Sequence, residues 1–261
     1  MKILFIGDIV GSPGRRAVEE LVPKIRKRES ADFVIANGEN MAAGSGVTPA
    51  LADELFGYGV DVITSGDHIW KRKEMVDELG SDKRLLRPAN YPAGAPGFGY
   101  GVFEALPGVE IGVINLVGRV FMSAVECPFR TAKEIIGKIK DRTRIIIIDM
   151  HAEATSEKIA LGYYLDGEVS AVLGTHTHVQ TADEKVLSGG TAFISDAGMT
   201  GPFDGVIGRK REQIIRRFLT QLPTKFEMAE GDIQLHGVIL DIDDKTGKAN
   251  SIKRVQEKLP Q

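Results

Sequence analysis

The chain has 261 residues, 43% of them hydrophobic, which is ample material for a packed core and fits one α/β domain over residues 1–261. A formal charge of −3 and an isoelectric point near 6.0 exclude broad electrostatic binding to nucleic acid, which needs clustered cations to displace counterions, so any nucleotide recognition must be local. One cysteine, Cys127, allows no intramolecular disulfide, disfavours sulfur ligation of a metal and suits a reducing compartment.

The opening apolar run Ile3-Leu4-Phe5-Ile6 is cut short by Gly7-Asp8, so it has the length of neither a signal-peptide core nor a membrane span. A soluble, cytoplasmic protein without membrane contact is expected. The first third then alternates strand and helix patterns: Lys2 to Gly7, Pro13 to Glu29, Asp32 to Ala36, Thr48 to Tyr58 and Val60 to Thr64. This βαβαβ order predicts parallel strands. Each strand ends in a polar, glycine-bearing corner: Gly7-Asp8, Asn37-Gly38-Glu39-Asn40 and Ser65-Gly66-Asp67-His68. Ligands of parallel sheets bind at such carboxyl-end corners.

Two strands around Pro107-Gly108 predict a hairpin over Tyr100 to Val117, followed by a helix from Thr131 to Lys140. Arg144 to Asp149 contains four consecutive isoleucines, apolar on both faces and hence a central strand, and ends at Met150-His151-Ala152-Glu153. Val169 to Leu173 ends likewise at Gly174-Thr175-His176-Thr177-His178. A hairpin near Ser188-Gly189-Gly190 and a basic amphipathic helix from Arg209 to Leu219 come next. Strands from Ile233 to Ile242 and from Ser251 to Val255, joined by a turn at Asp243 to Gly247, complete the chain. Two packed mixed sheets flanked by helices is the simplest α/β assembly of these elements.

Four of the five histidines, His68, His151, His176 and His178, fall at strand-end corners; only His236 lies inside a strand pattern. A lone histidine is usually structural, and the loop Gly174 to His178 taken alone is an even choice between ligation and self-bonding. Joint placement decides. Asp8, Glu39, Asn40, Asp67, His151, His176 and His178 bring nitrogen and oxygen ligands from five corners, a mixture suited to manganese, iron or zinc rather than calcium. Together they exceed what one cation requires. Two cations sharing Glu39 or Asp67 are implied, and a pair about 3.5–4 Å apart can generate hydroxide and clamp a phosphoryl group during in-line displacement. His68, beside Asp67, is the candidate to protonate a leaving oxygen.

These corners resemble those of the calcineurin-like metallophosphoesterases. More narrowly, Ile6-Gly7-Asp8-Ile9-Val10-Gly11, Asn37-Gly38-Glu39-Asn40, His151-Ala152-Glu153-Ala154-Thr155 and Asp196-Ala197-Gly198-Met199-Thr200-Gly201-Pro202 resemble their YmdB-like branch. The resemblance implies an α/β sandwich with a binuclear iron or manganese centre that hydrolyses phosphodiesters, 2′,3′-cyclic nucleotides among them. It implies Asp8, Glu39, Asn40 and His178 around one cation and Glu39, Asp67, His151 and His176 around the other, with Glu39 bridging and His68 as proton donor to the ribose oxygen. A homo-oligomer is also an expectation of the resemblance. Asp67 departs from it, because that branch usually carries Asn there; the added negative charge strengthens metal retention and weakens Lewis acidity.

Gly7 to Gly14 follows a strand and opens a helix, yet it matches neither dinucleotide nor P-loop spacing, and Asp8 repels phosphate without a cation. Arg15, Arg16 and the basic stretches at Lys24 to Arg28 and Arg209 to Arg217 read as solvated helix faces, and Trp70 and Tyr91 as packing aromatics. Two other functions stay open: a phosphomonoesterase or protein phosphatase, since the same metals serve both ester classes, and a regulatory metal-dependent nucleotide-binding protein with little turnover.

Overall fold

Alternation along the first strand, β1 (Lys2–Ile6), sends Ile3 and Phe5 to one face and Leu4 and Ile6 to the other. Both faces are covered in the computed structural model, which describes residues 1–260. There follow β2 (Asp8–Ile9), α1 (Gly11–Glu29), β3 (Phe33–Asn37), α2 (Pro49–Gly57) and β4 (Val62–Thr64), then a 3₁₀ turn at Asp67–Lys71 and α3 (Lys73–Glu78). The hairpin β5 (Tyr100–Leu106) and β6 (Val109–Val117) leads to α4 (Pro128–Ile139), β7 (Ile145–His151), α5 (Thr155–Tyr164) and β8 (Ala171–Thr175). The remainder is β9 (Lys185–Val186), β10 (Ala192–Ile194), β11 (Met199–Pro202), α6 (Arg211–Thr220), β12 (Ile233–Ile242) and β13 (Ala249–Lys258).

The strands form two mixed sheets, one in the order β2-β11-β12-β1-β3-β4 with β13 also on β12, the other β5-β6-β7-β8-β10-β9. In the first, β1, β3 and β4 are parallel; in the second, β6, β7, β8 and β10 are. Ile3, Phe5, Phe33 and Ile35 of the first sheet meet Ile145, Ile147, Ala171 and Leu173 of the second in a central core. Leu4 and Ile6 pack outward beneath α1, and Ile146 and Ile148 pack beneath α4, so the four isoleucines of β7 serve two different cores. That is why the strand is apolar on both faces.

Continued to the carboxyl ends, the same alternation puts polar side chains between the sheets. Asp149 accepts hydrogen bonds from Asn37 Nδ2 at 2.9 Å, Thr64 Oγ1 at 2.5 Å and Thr175 Oγ1 at 2.7 Å, which joins β3 and β4 to β7 and β8.

Two predicted helix starts were late, and that of α6, Arg209, was early. α1 begins at Gly11, not Pro13, and α4 at Pro128, where proline suits the first helical turn, not Thr131. α3, α5, β2 and β11 had no counterpart in the sequence reading. Trp70 and Tyr91 pack edge-to-face, 5.3 Å apart, against the core. No helix among the described residues is long and apolar enough to cross a membrane.

Candidate metal centre

Five corners converge where the parallel strands of both sheets end. Glu39, Asp67, His151 and His176 each offer one ligand atom, and these atoms lie within 4.8 Å of one another. Beside them Asn40 Nδ2 stands 2.8 Å from Glu39 Oε1 and 3.2 Å from His178 Nε2, and Asp8 Oδ1 is 4.0 Å from the same His178 nitrogen. Glu39 links the two groups: Oε1 faces Asn40, whereas Oε2 is 3.2 Å from His151 Nε2. His68 stands at the rim, its Nδ1 at 2.8 Å from Asn40 Oδ1 and its Nε2 at 4.0 Å from Asp67 Oδ2.

Local backbone makes this convergence feasible. Gly66 passes so close to the site that an added Cβ would sit 2.2 Å from His151 Cδ2 and 2.3 Å from Glu39 Oε2. His176 and His178 both adopt positive φ, 101° and 65°, so the loop curls and both rings turn inward. The Asp8 carboxylate accepts the His176 amide at 3.0 Å, and Asp196 accepts the Thr177 amide and hydroxyl at 3.0 and 2.7 Å.

Each inward histidine has its other nitrogen occupied. His151 Nδ1 donates to Thr175 Oγ1 at 2.9 Å, because that hydroxyl gives its own proton to Asp149. His176 Nε2 meets the Glu153 carboxylate at 3.2 Å, and His178 Nδ1 donates to the Ile207 carbonyl at 3.3 Å. Nε2 of His151, Nδ1 of His176 and Nε2 of His178 are thereby left for the interior of the site. The first two are only 3.0 Å apart, and a proton or a cation must lie between such lone pairs.

Charge tells the same story. Burial pushes the Asp8 carboxyl well above its usual value, against the opposing attraction of His151. Burial also opposes ionisation of Glu39, yet the charge and hydrogen bond of His151 outweigh it and hold that carboxyl far below its ordinary range. His151 shows the converse: burial disfavours its charge, but Glu39, Asp67 and Asp8 hold the proton on well above pH 6.5. Burial pushes His178 down to about 4, leaving it neutral at pH 7.

Two buried carboxylate oxygens among the described residues have no hydrogen-bond partner at this site, Asp8 Oδ1 and Asp67 Oδ1. One lies in each donor group. Buried acceptors without donors are expensive, and hard cations satisfy them, so the site fits metal ligation by mixed nitrogen and oxygen ligands. A cavity of about 410 Å³ opens over them, walled by Glu153, Arg209, Ile207, Ile214 and Phe226 among others. A larger hollow, about 490 Å³, lies between Lys140 and Ile145 at the opposite strand ends and holds none of these donors.

Thr175, Asp149, Asn37, Glu153 and Ile207 carried no assigned role in the sequence reading. Strand alternation was the available signal for the first three, since all face the space between the sheets. Arg15, read there as part of a solvated helix face, bonds Glu54 and the Met41 carbonyl.

Residues 4–255 match the family model described as YmdB-like protein. A Bacillus subtilis (strain 168) protein named 2′,3′-cyclic-nucleotide 2′-phosphodiesterase is 53% identical over 98% of this chain and 96% of its own. A hypothetical protein of Thermus thermophilus superposes with a TM-score of 0.93 at 40% identity, covering 100% of both chains. The structure of a Mycoplasma pneumoniae protein described as a novel phosphatase gives 0.92 at 35% identity, over 99% of this chain and 93% of its own.

Proposed function

The chain belongs to the YmdB-like family, and from that premise we propose that it hydrolyses 2′,3′-cyclic nucleotides at a two-metal centre. The observation that carries this reading is the pair of donor groups, each with one partnerless carboxylate oxygen and both sharing Glu39. Asp8, Glu39, Asn40 and His178 hold one cation; Glu39, Asp67, His151 and His176 hold the other. The donor set suits iron or manganese, with zinc also compatible. Bound, the two ions supply positive charge to the phosphoryl oxygens and acidify water.

For Asn40 to serve a cation its oxygen must face Asp8 and His178, a half-turn of the amide that sets its Nδ2–H against His68 Nδ1. His68 then carries its proton on Nε2, toward the cavity. Water adds to phosphorus, the bond from phosphorus to a ribose oxygen breaks, and that oxygen takes the His68 proton. The proton released by the water restores His68, and a nucleoside monophosphate leaves. The name of the Bacillus subtilis relative points to the 2′ bond. The single cysteine, Cys127, supports a reducing, cytoplasmic setting.

Elemental analysis of protein purified without chelator, with 2′,3′-cyclic AMP turnover measured before and after manganese addition, tests the proposal. About two metals per chain and metal-dependent turnover are expected. His68→Ala should keep its metal while kcat falls about 10²–10⁴-fold, and unaltered turnover would refute the proton-donor role. Asp67 favours one second reading, regulatory nucleotide binding with little turnover, because its carboxylate lowers the Lewis acidity of a neighbouring ion. Restoration of turnover by Asp67→Asn would support that reading.

A further inference from the structure

Between β11 and β12 the chain leaves the sheet and returns. Its two limbs pair with each other through Phe203 and Asp232, Asp204 and Gly231, and Lys210 and Glu227, and α6 sits at the far end. This stalk is pinned to the metal corner. Arg209 donates to the carbonyls of Ala43 at 3.3 Å and Gly44 at 2.5 Å, and the Ile207 carbonyl holds His178. The pinning carries Ile207, Ile214 and Phe226 into the lining of the catalytic cavity, which they share with its carboxylates and histidines.

An apolar wall has no use in ligating cations or in holding a phosphoryl group. Ile207 is nonetheless 51% exposed and held at a positive φ of 43°, unfavourable for a β-branched residue, and Phe226 is 38% exposed. Exposed apolar side chains gathered at a polar site mark a surface that a ligand covers. Arg209, the cation in that wall, is tied to two carbonyls, so the wall presents aliphatic surface and an aromatic ring rather than an array of donors.

We propose that Ile207, Ile214 and Phe226 form the seat of the substrate's nucleobase, which binds by stacking and apolar contact while its cyclic phosphate lies over the metal ligands. The inference rests on the cyclic-nucleotide reading above and names the residues that recognise the nucleoside part. Stacking tolerates different bases, since each has a π-face.

The test compares KM and kcat for 2′,3′-cyclic AMP and for a base-free analogue, the 2′,3′-cyclic phosphate of methyl riboside, in the metal-loaded protein. Wild type should prefer the base-bearing diester. Phe226→Ala should lower that preference about tenfold, the size of one lost base–aromatic stack, through KM rather than kcat. Ile207→Ser should lower it in the same direction. Phe218→Ala, on α6 but 74% exposed and outside the cavity, should leave both substrates unchanged. An unchanged preference in both wall variants, or equal losses on both substrates, would overturn the proposal. If wild type turns over neither compound, the catalytic reading fails separately, and calorimetric Kd values for the same two compounds on wild type and Phe226→Ala decide the seat by the same criterion.

Discussion

His236 shows what a buried histidine does when no ligand set surrounds it. Its ring packs on Phe203 with centroids 4.4 Å apart, its Nε2 meets Gln234 Oε1 at 3.1 Å, and its Nδ1 is buried without a partner. Burial lowers its pKa from 6.5 to about 4, with Asp232 opposing. The sign follows from proton counting: between these values the unfolded chain binds the proton and the folded chain does not, so stability falls as pH drops from 6.5 toward 4. Urea midpoints of wild type and His236→Gln, measured at both ends of that window, should show the smaller decline in the variant. Equal declines would mean that the folded ring takes its proton as readily as the unfolded one. The histidines of the metal centre differ from His236 in that each has one nitrogen assigned to a partner and the other turned toward carboxylates.

At the scale of elements, what was legible depended on whether a segment's pattern arises from its own burial. β7 and β12 were plain, because alternation and an apolar run report directly on the faces they bury. The Gly-Asp, Gly-Glu and His-Thr-His corners were equally plain, since each follows such a strand. α5 was not, and the reason is physical: its inward side includes Glu157, which accepts the amides of Arg119 and Val120, and Lys158. Two charges on the buried side erase the amphipathic signal. Lys158 bonds Asp196 at 2.9 Å and the Thr175 carbonyl at 3.1 Å, both partners being 1% exposed in the ion pair. Asp196 in turn holds Thr177 between His176 and His178, so α5 braces the ligand loop through this pair. Lys158→Met strands a buried carboxylate and should destabilise the fold by about 3–5 kcal/mol in urea titrations, with weakened metal retention at temperatures where it remains folded. A loss below about 1 kcal/mol, as for exposed pairs, would show that the pair does not brace the loop.

For the molecule as a whole, the donors divide between the sheets. Asp8, Glu39, Asn40 and Asp67 belong to β2 and to the corners after β3 and β4; His151 ends β7, and His176 and His178 follow β8. Their pairing was beyond the reach of local pattern, because the contact between Asp8 and His176 spans 168 positions of sequence. Cations seated among them would tie one sheet to the other at the polar end of the sandwich, next to the junction that Asp149 makes by hydrogen bonds. Metal bound only by the folded chain stabilises it through mass action, by about 2.7 kcal/mol for one site at a hundredfold excess over Kd. For a chain of this size that corresponds to roughly 5–10 °C in Tm. Stripping the protein with a chelator should therefore lower Tm by about that amount, and manganese should restore it, whether or not any substrate is turned over. An unchanged Tm in a protein shown to have lost its metal would mean that the cations add no net hold between the sheets, and that the Asp149 junction and the central apolar core suffice to keep them together.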